Sequence, residues 1–452
     1  MGNRDHRTPR RALSRREALA GSGALLAAAL LPRSALASVQ SLAAGLLSSA
    51  SGGVAAKVAA GPAIPASTVH LGIMPFGDHS ILSIGIHEKY FDDVGIKIEP
   101  APMGEVVQVS DAVPRLSTGQ LDITTWYTAL KVGALAQTPN LTMIGFHDVY
   151  IGTYVLAAPW TKAKKVTEFL AEGKTFPEAM AATATQMTGK NVAFANDGAH
   201  RDFFNTVFQI GGLSADSVQF QAIPDNQQVQ LANSKRLDFA SPSGAAQTVE
   251  LMNQGWYSIV GTEELVKNLP KGDLRGVATI GNTGPGSSLD YVEKNYETVL
   301  RYMSVQFRII DAIKSDPDRT LAIDAPFLQA AAGTSTTGPD LKVIMSTLDP
   351  LFSFEEQKQF WLDESSPWYY KSVLAPQIAA AKAGGLIPPD SNFTPDDVTV
   401  GAGIYKDLVE LKRLCDELIP KASQSSDAAK NAAVQYKNRN YLDAYRMLKA
   451  AA

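Results

Sequence analysis

Only one cysteine, Cys415, occurs in the 452 residues, so the chain can build neither a disulfide framework nor a cysteine-based metal centre. Its helical spacing with Leu411, Leu414 and Leu418 suits a small apolar core residue. No long Lys/Arg run gives the electrostatic footprint of a nucleic-acid binder, and the formal net charge is −4. The apolar run at residues 18–31 is shorter than the roughly 20 residues a membrane-spanning helix needs. Signatures of common catalysts are missing too. There is no Gly-x-Ser-x-Gly elbow, no phosphate-binding loop and no His-Glu-x-x-His run, and His87-Glu88 has no second histidine at the required spacing. His79, His147 and His200 all fall at predicted strand or helix ends, which is the one arrangement that suggests a metal site. The arrangement of carboxylates and supporting hydrogen bonds that such a site needs is not visible in the sequence, so no metal ligand is assigned and no cofactor is expected.

What is present begins with an address. Ser14-Arg15-Arg16-Glu17-Ala18-Leu19 places a twin arginine before the apolar run, and Ala35-Leu36-Ala37 offers a small-x-small cleavage site before Ser38. Residues 1–37 read as a twin-arginine export signal, which predicts a soluble protein in a bacterial periplasm. Losing them would take the net charge from −4 to −9, because they hold seven arginines against Asp5 and Glu17. Residues 38–67, rich in Ala, Ser and Gly, read as a flexible leader.

The body of the chain repeats itself. Residues 69–126 read strand, Gly77-Asp78-His79, helix, Gly95, strand, helix, then Leu121-Asp122. Residues 191–242 read strand, Asp197-Gly198-Ala199-His200, helix, Gly211-Gly212, strand, helix, then Leu237-Asp238. A β-α-β-α-β unit used twice predicts an α/β protein of two similar lobes, with a ligand held outside the carboxyl ends of the strands in the cleft between them. The first lobe is expected at 68–158 and 275–418, the second at 159–274, and a C-terminal helical tail at 419–452. Crossings between lobes are expected at 153–159 and 275–282, with a strand at 275–280 closed by Gly281, Gly284, Pro285 and Gly286. Residues 160–189 read as a surface elaboration of the second lobe.

The candidate ligand-binding residues follow from that cleft. Asp78 and His79 in one lobe, and Asn196, His200 and Arg201 in the other, stand where a helix N-terminus would favour an anion. Arg201 adds a permanent charge with a forked donor. Thr124, Thr125 and Ser241 put hydroxyls at strand ends, and Trp126 either packs on a ligand or serves as a core residue. Tyr150 and Asn282 flank the crossings. A small, anionic solute is the expectation.

The order of these elements resembles the periplasmic substrate-binding proteins of ABC importers for nitrate, sulfonate, taurine and related compounds, a group that includes pyrimidine-precursor binding proteins. The resembling residues are Gly95-Ile96-Lys97-Ile98-Glu99, Ser117-Thr118-Gly119-Gln120-Leu121-Asp122-Ile123, Thr188-Gly189-Lys190-Asn191-Val192-Ala193, Ala199-His200, Gly211-Gly212-Leu213-Ser214 and Leu237-Asp238. The resemblance implies a type II two-lobed binding protein, monomeric, that closes on a small-molecule solute and hands it to an inner-membrane ABC permease. Sulfonate-type members usually carry Trp-Glu-Pro or Trp-Asp-Pro after the second Leu-Asp strand, where this chain has Ala240-Ser241-Pro242. A periplasmic enzyme or a ligand-sensing receptor on the same fold is the alternative. The enzymes of this fold depend on cysteines in its body, far in sequence from Cys415.

Overall fold

The computed structural model describes residues 33–48, 53–195, 198–214, 217–270, 273–277, 280–422 and 426–451. The export signal and its twin arginine lie outside them, apart from the start of a helix at Arg33. Among the described residues no helix is long and apolar enough to cross a membrane.

The strands are short. They are β1 (Ser67–Ile73), β2 (Ile96–Glu99), β3 (Glu105–Val106), β4 (Ile123–Tyr127), β5 (Leu141–Met143), β6 (Tyr154–Ala157), β7 (Asn191–Phe194), β8 (Gln219–Ala222), β9 (Phe239–Ser241), β10 (Tyr257–Gly261) and β11 (Thr283–Ser288). They form two sheets, ordered β2-β1-β4-β11-β5 with β3 beside β1, and β10-β6-β9-β7-β8. Taken from its other edge, the second sheet repeats the first. Each has three parallel strands in the order second, first, third, then one antiparallel strand, then a last strand. The architecture is therefore the expected two-lobed α/β one, with a helical C-terminal region.

The repeat extends to single bonds. Asp122 Oδ2 accepts the backbone N–H of His70 at 2.8 Å, and Asp238 Oδ2 accepts that of Asn191 at 3.1 Å. Each aspartate thus satisfies a backbone donor of its lobe's first strand, which explains why the Leu-Asp pair recurs.

The crossings differ from expectation. The stretch 153–158 was expected to close lobe 1, yet β6 pairs with β9 and β10 inside the second sheet, so lobe 2 already begins at Tyr154. Residues 274–277 are helical rather than extended. The antiparallel strand of the first sheet is instead β11, whose sequence Thr-Gly-Pro-Gly-Ser-Ser reads as a turn. Its glycines answer to close packing: a Cβ on Gly286 would run into the Trp126 ring, and one on Gly284 into the Gly145 carbonyl.

Two further segments are more embedded than their composition suggests. Residues 160–189 supply the Phe176–Thr185 helix, and Met180, Ala184 and Met187 are buried in the lobe 2 core with Phe203 and Phe204. The segment expected as a flexible leader carries helices at Arg33–Ser48 and Gly53–Lys57. Small residues let backbone approach backbone there: Leu46 lies against Gly403, and Ala43, Val54 and Val58 join the lobe 1 core. At the other end Lys449 Nζ donates to the Val58 carbonyl at 2.8 Å. The tail helices Asp427–Lys437 and Tyr441–Ala451 are pinned to the Tyr296–Ser315 helix by a buried ion pair between Arg301 and Asp443.

Candidate functional site

Loops at the carboxyl ends of β1, β4 and β5 meet the start of β11, where Thr283 pairs with Tyr127. They bring together Asp78 and His79 from the Gly77–Ser80 turn of helix, His147 and Asp148 after β5, and Asn282 and Thr283. Asp349 joins from the covering helices, following the π-helical turn Ile344–Leu348. Asp78, His79, His147, Asp148, Asn282, Thr283 and Asp349 are all buried.

Their bonds define the geometry. Asp148 Oδ1 accepts both the Thr283 hydroxyl and the Thr283 backbone N–H, the latter at 3.1 Å. Asp148 Oδ2 has no hydrogen-bond partner and stands 3.4 Å from His147 Nε2. His79 Nε2 is 3.1 Å from Asp78 Oδ2, and the two imidazole rings meet edge to face at 6.3 Å. Tyr127 tilts over His79 at 6.5 Å. Both carboxylate oxygens of Asp349 lack a partner, as do His147 Nδ1 and Asn282 Oδ1. These unsatisfied polar atoms gather in one buried place, which makes it the candidate site.

The charges are strongly perturbed. Burial raises the Asp78 pKa, but the imidazoles of His79 and His147 and the Thr283 hydroxyl outweigh it and hold the carboxyl below its ordinary range. Burial, and then the charge of Asp78, pushes Asp148 well above that range, although the Thr283 bonds oppose this. Asp349 is raised by burial and by the charges of Asp78 and Asp148. His147 is pushed down to about 3 by burial, against the pull of Asp78, and is neutral at pH 7. Next to the cluster, Asp324 accepts the Ser80 hydroxyl at 2.7 Å and the Ser83 hydroxyl at 2.6 Å, and burial raises it to about 6.

Other residues chosen from sequence are placed differently. The Thr125 hydroxyl accepts the Met74 N–H at 2.8 Å, and the Thr124 hydroxyl donates to the Gly72 carbonyl at 3.1 Å. Both tie β4 to β1 and are committed to the sheet. Trp126 is fully buried in the lobe 1 core against Gly286. Tyr150 is at the crossing, donating its hydroxyl to the Ser243 carbonyl of lobe 2 at 3.2 Å. Ser241 is buried at the end of β9 with its hydroxyl unpartnered, and its N–H is bonded to Gln228. His200 is buried in the Gly198–Gly211 helix. Asn196 and the Arg201 side chain lie outside what the structure describes. The helix at the first expected anion position has four residues, Gly77–Ser80, with Asp78 in its first turn.

Sequence reasoning assigned no role to Asp148 or Asp349. His147-Asp148 carries a usable signal, an acid-histidine pair directly after a strand. Asp349 carries none, being far along the chain in a helical region.

Two lobes of one topology, joined by crossings that each deliver the antiparallel strand of the lobe they enter, with a buried polar site at the strand ends, define the periplasmic-binding-protein fold. Residues 62–275, spanning all of lobe 2 and most of the lobe 1 sheet, match the model of the NMT1-like family. No curated protein matches the sequence. Among solved structures, the chain is similar to the periplasmic aliphatic sulphonate-binding protein SsuA of Escherichia coli, with 12% identity, 72% of this chain and 94% of that chain covered, and a TM-score of 0.50. It is likewise similar to the periplasmic nitrate-binding protein NrtA of Synechocystis PCC 6803, with 14% identity, coverage of 76% and 88%, and a TM-score of 0.50.

Proposed function

We propose that this chain is the solute-binding component of a bacterial ABC importer, a monomer working in the periplasm. It takes a small solute between its lobes and presents it, unchanged, to a permease in the inner membrane. The observation that carries this reading is the buried, unsatisfied cluster at the lobe 1 strand ends, set where both crossings pass. The family match and the fold shared with importer components support it. The twin arginine at Arg15-Arg16 supports export in folded form, and replacing both with lysine should leave precursor inside the cell.

The charge of the lobe 1 face departs from the anionic solute expected from sequence, because Asp78, Asp148 and Asp349 converge there. Arg201 of lobe 2 is left as the group that would pair with an acidic part of a solute. A thermal-shift screen of the mature protein against small anions, amines and divalent cations tests the reading. A ligand at 100 times its dissociation constant stabilises the folded state by about 2.7 kcal/mol. Saturable binding without turnover supports an importer component, whereas consumption of the ligand would establish an enzyme.

A further inference from the structure

We propose that the lobe 1 face at the hinge is a binding site for one divalent transition-metal ion, held by Asp78, His147 and Asp148 with the Asp349 carboxylate beside them. One donor atom from each of the first three lies within 4.8 Å of the others. His147 Nε2 and Asp148 Oδ2 are 3.4 Å apart, and Nε2 shares a 3.0 Å hydrogen bond with the Thr283 hydroxyl that a bound ion would replace. Two ligands bound at 2.0–2.2 Å on a tetrahedral ion stand about 3.3–3.6 Å from each other, so this pair already has the spacing of neighbours on one metal.

The unsatisfied atoms point the same way. Asp148 Oδ2 and both oxygens of Asp349 are buried with no hydrogen-bond partner. Carboxylate oxygens in that state need a proton, a donor or a cation. Among the described residues, the ion pairs recorded for Asp78 and Asp148 are with His79 and His147, not with lysine or arginine. Three acidic groups therefore converge with no fixed cation beside them among the described residues, and Asp78 and Asp148 hydrogen-bond each other through a proton that a metal ion would displace. Thr283 supplies what a metal site asks of its surroundings: by bonding Asp148 Oδ1 through both its hydroxyl and its N–H, it fixes the carboxylate with Oδ2 turned towards His147.

The donor set selects the ion. One imidazole among carboxylates, with no thiolate, suits zinc, manganese, iron, cobalt or nickel better than magnesium or calcium, which favour all-oxygen sites. The site goes beyond the importer reading and does not depend on which solute is carried.

The test is a calorimetric titration of the chelator-treated mature protein with Zn²⁺ and with Co²⁺. One equivalent of each should bind, and Co²⁺ should show visible bands of imidazole and carboxylate ligation without thiolate charge transfer. His147→Gln and Asp148→Asn should each weaken binding by about tenfold or more. Asp349→Asn leaves the Thr283 bonds intact and guards against a folding defect in the other two; it too should weaken binding. Replacing the exposed His87 should change nothing. Wild-type protein that binds neither ion, or variants that keep circular dichroism and affinity alike, would overturn the proposal. So would methylammonium binding that is lost in Asp148→Asn while neither metal binds. Should some solute close the lobes of metal-free protein that binds no metal, the metal site falls and the importer reading stands.

Discussion

Arg301 and Asp443 form a two-point ion pair inside the protein, Nε to Oδ2 at 2.7 Å and the terminal nitrogen to Oδ1 at 3.0 Å. Their side chains are only 2% and 0% exposed. Arg446 and Asn440 bond the same carboxylate, so the tail helices are tied to the body of lobe 1 through one buried acid.

Removing that acid leaves Arg301 and Arg446 to share the half-exposed Glu297 carboxylate, 3.3 and 2.6 Å from their terminal nitrogens. Asp443→Ala should cost about 3 kcal/mol in urea unfolding, because two buried guanidinium groups keep only that one partly solvated partner. Replacing Arg301 and Asp443 together with methionine and leucine should recover most of the loss. An unchanged midpoint in Asp443→Ala would show that the tail is not part of the cooperative unit.

Gly286→Ala should destabilise by roughly 1–3 kcal/mol, since the new methyl meets the fully buried Trp126 ring. Trp126→Leu in the same chain should return part of the stability. Thermal denaturation of the single and double variants reads the coupling, and additive losses would contradict it.

Asp324 gives a pH dependence. Its folded pKa, about 6, is above the ordinary value of 3.8, so between these pH values the folded state holds more of the proton than the unfolded state. Stability from this group therefore falls as pH rises from 4 to 6, and the cost is fully present above 6. It amounts to about 3 kcal/mol. Asp324→Asn cannot titrate, so the stability of the variant relative to the native protein should rise over that window and then level off. A pH-independent difference would place the ionisation elsewhere.

Polar bonds join the lobes. Tyr150 donates to the Ser243 carbonyl at 3.2 Å, and Asn253 donates to Asp340 at 2.9 Å. Losing each removes about 0.5–1.5 kcal/mol from the contact between the lobes. Tyr150→Phe combined with Asn253→Ala should raise the radius of gyration in solution scattering without ligand. A profile identical to that of the native protein would mean that apolar packing alone holds the lobes together.

The sequence carried the topology where backbone geometry demands particular residues. Asp122 and Asp238 recur because each satisfies a backbone N–H of its lobe's first strand, and Gly95 and Gly212 both take a left-handed turn before the second strand of each lobe. Strand β11 was illegible for the opposite reason. Nothing in Thr-Gly-Pro-Gly-Ser-Ser favours a strand; the Trp126 ring and the Gly145 carbonyl leave room only for glycine there. At the site, Asp78, His79 and Asn282 could be chosen because ligands gather at strand ends. Thr124, Thr125 and Trp126 satisfied the same rule, but the pleat turns their side chains into the sheet and core. Asp349 reaches the cluster only through packing of distant helices, which no local pattern reports.

Lobe 2 runs as one uninterrupted stretch from β6 to β10, and those two strands lie paired, Tyr154 opposite Gly261. Lobe 1 lacks β11 until residues 283–288 have been made, and its Asp443 lock comes near the very end of the chain. A nascent chain can therefore complete the inserted lobe while the surrounding one still exposes an unpaired flank of β4. Synthesis gives the two halves different birth orders, with the lobe that begins first finishing last.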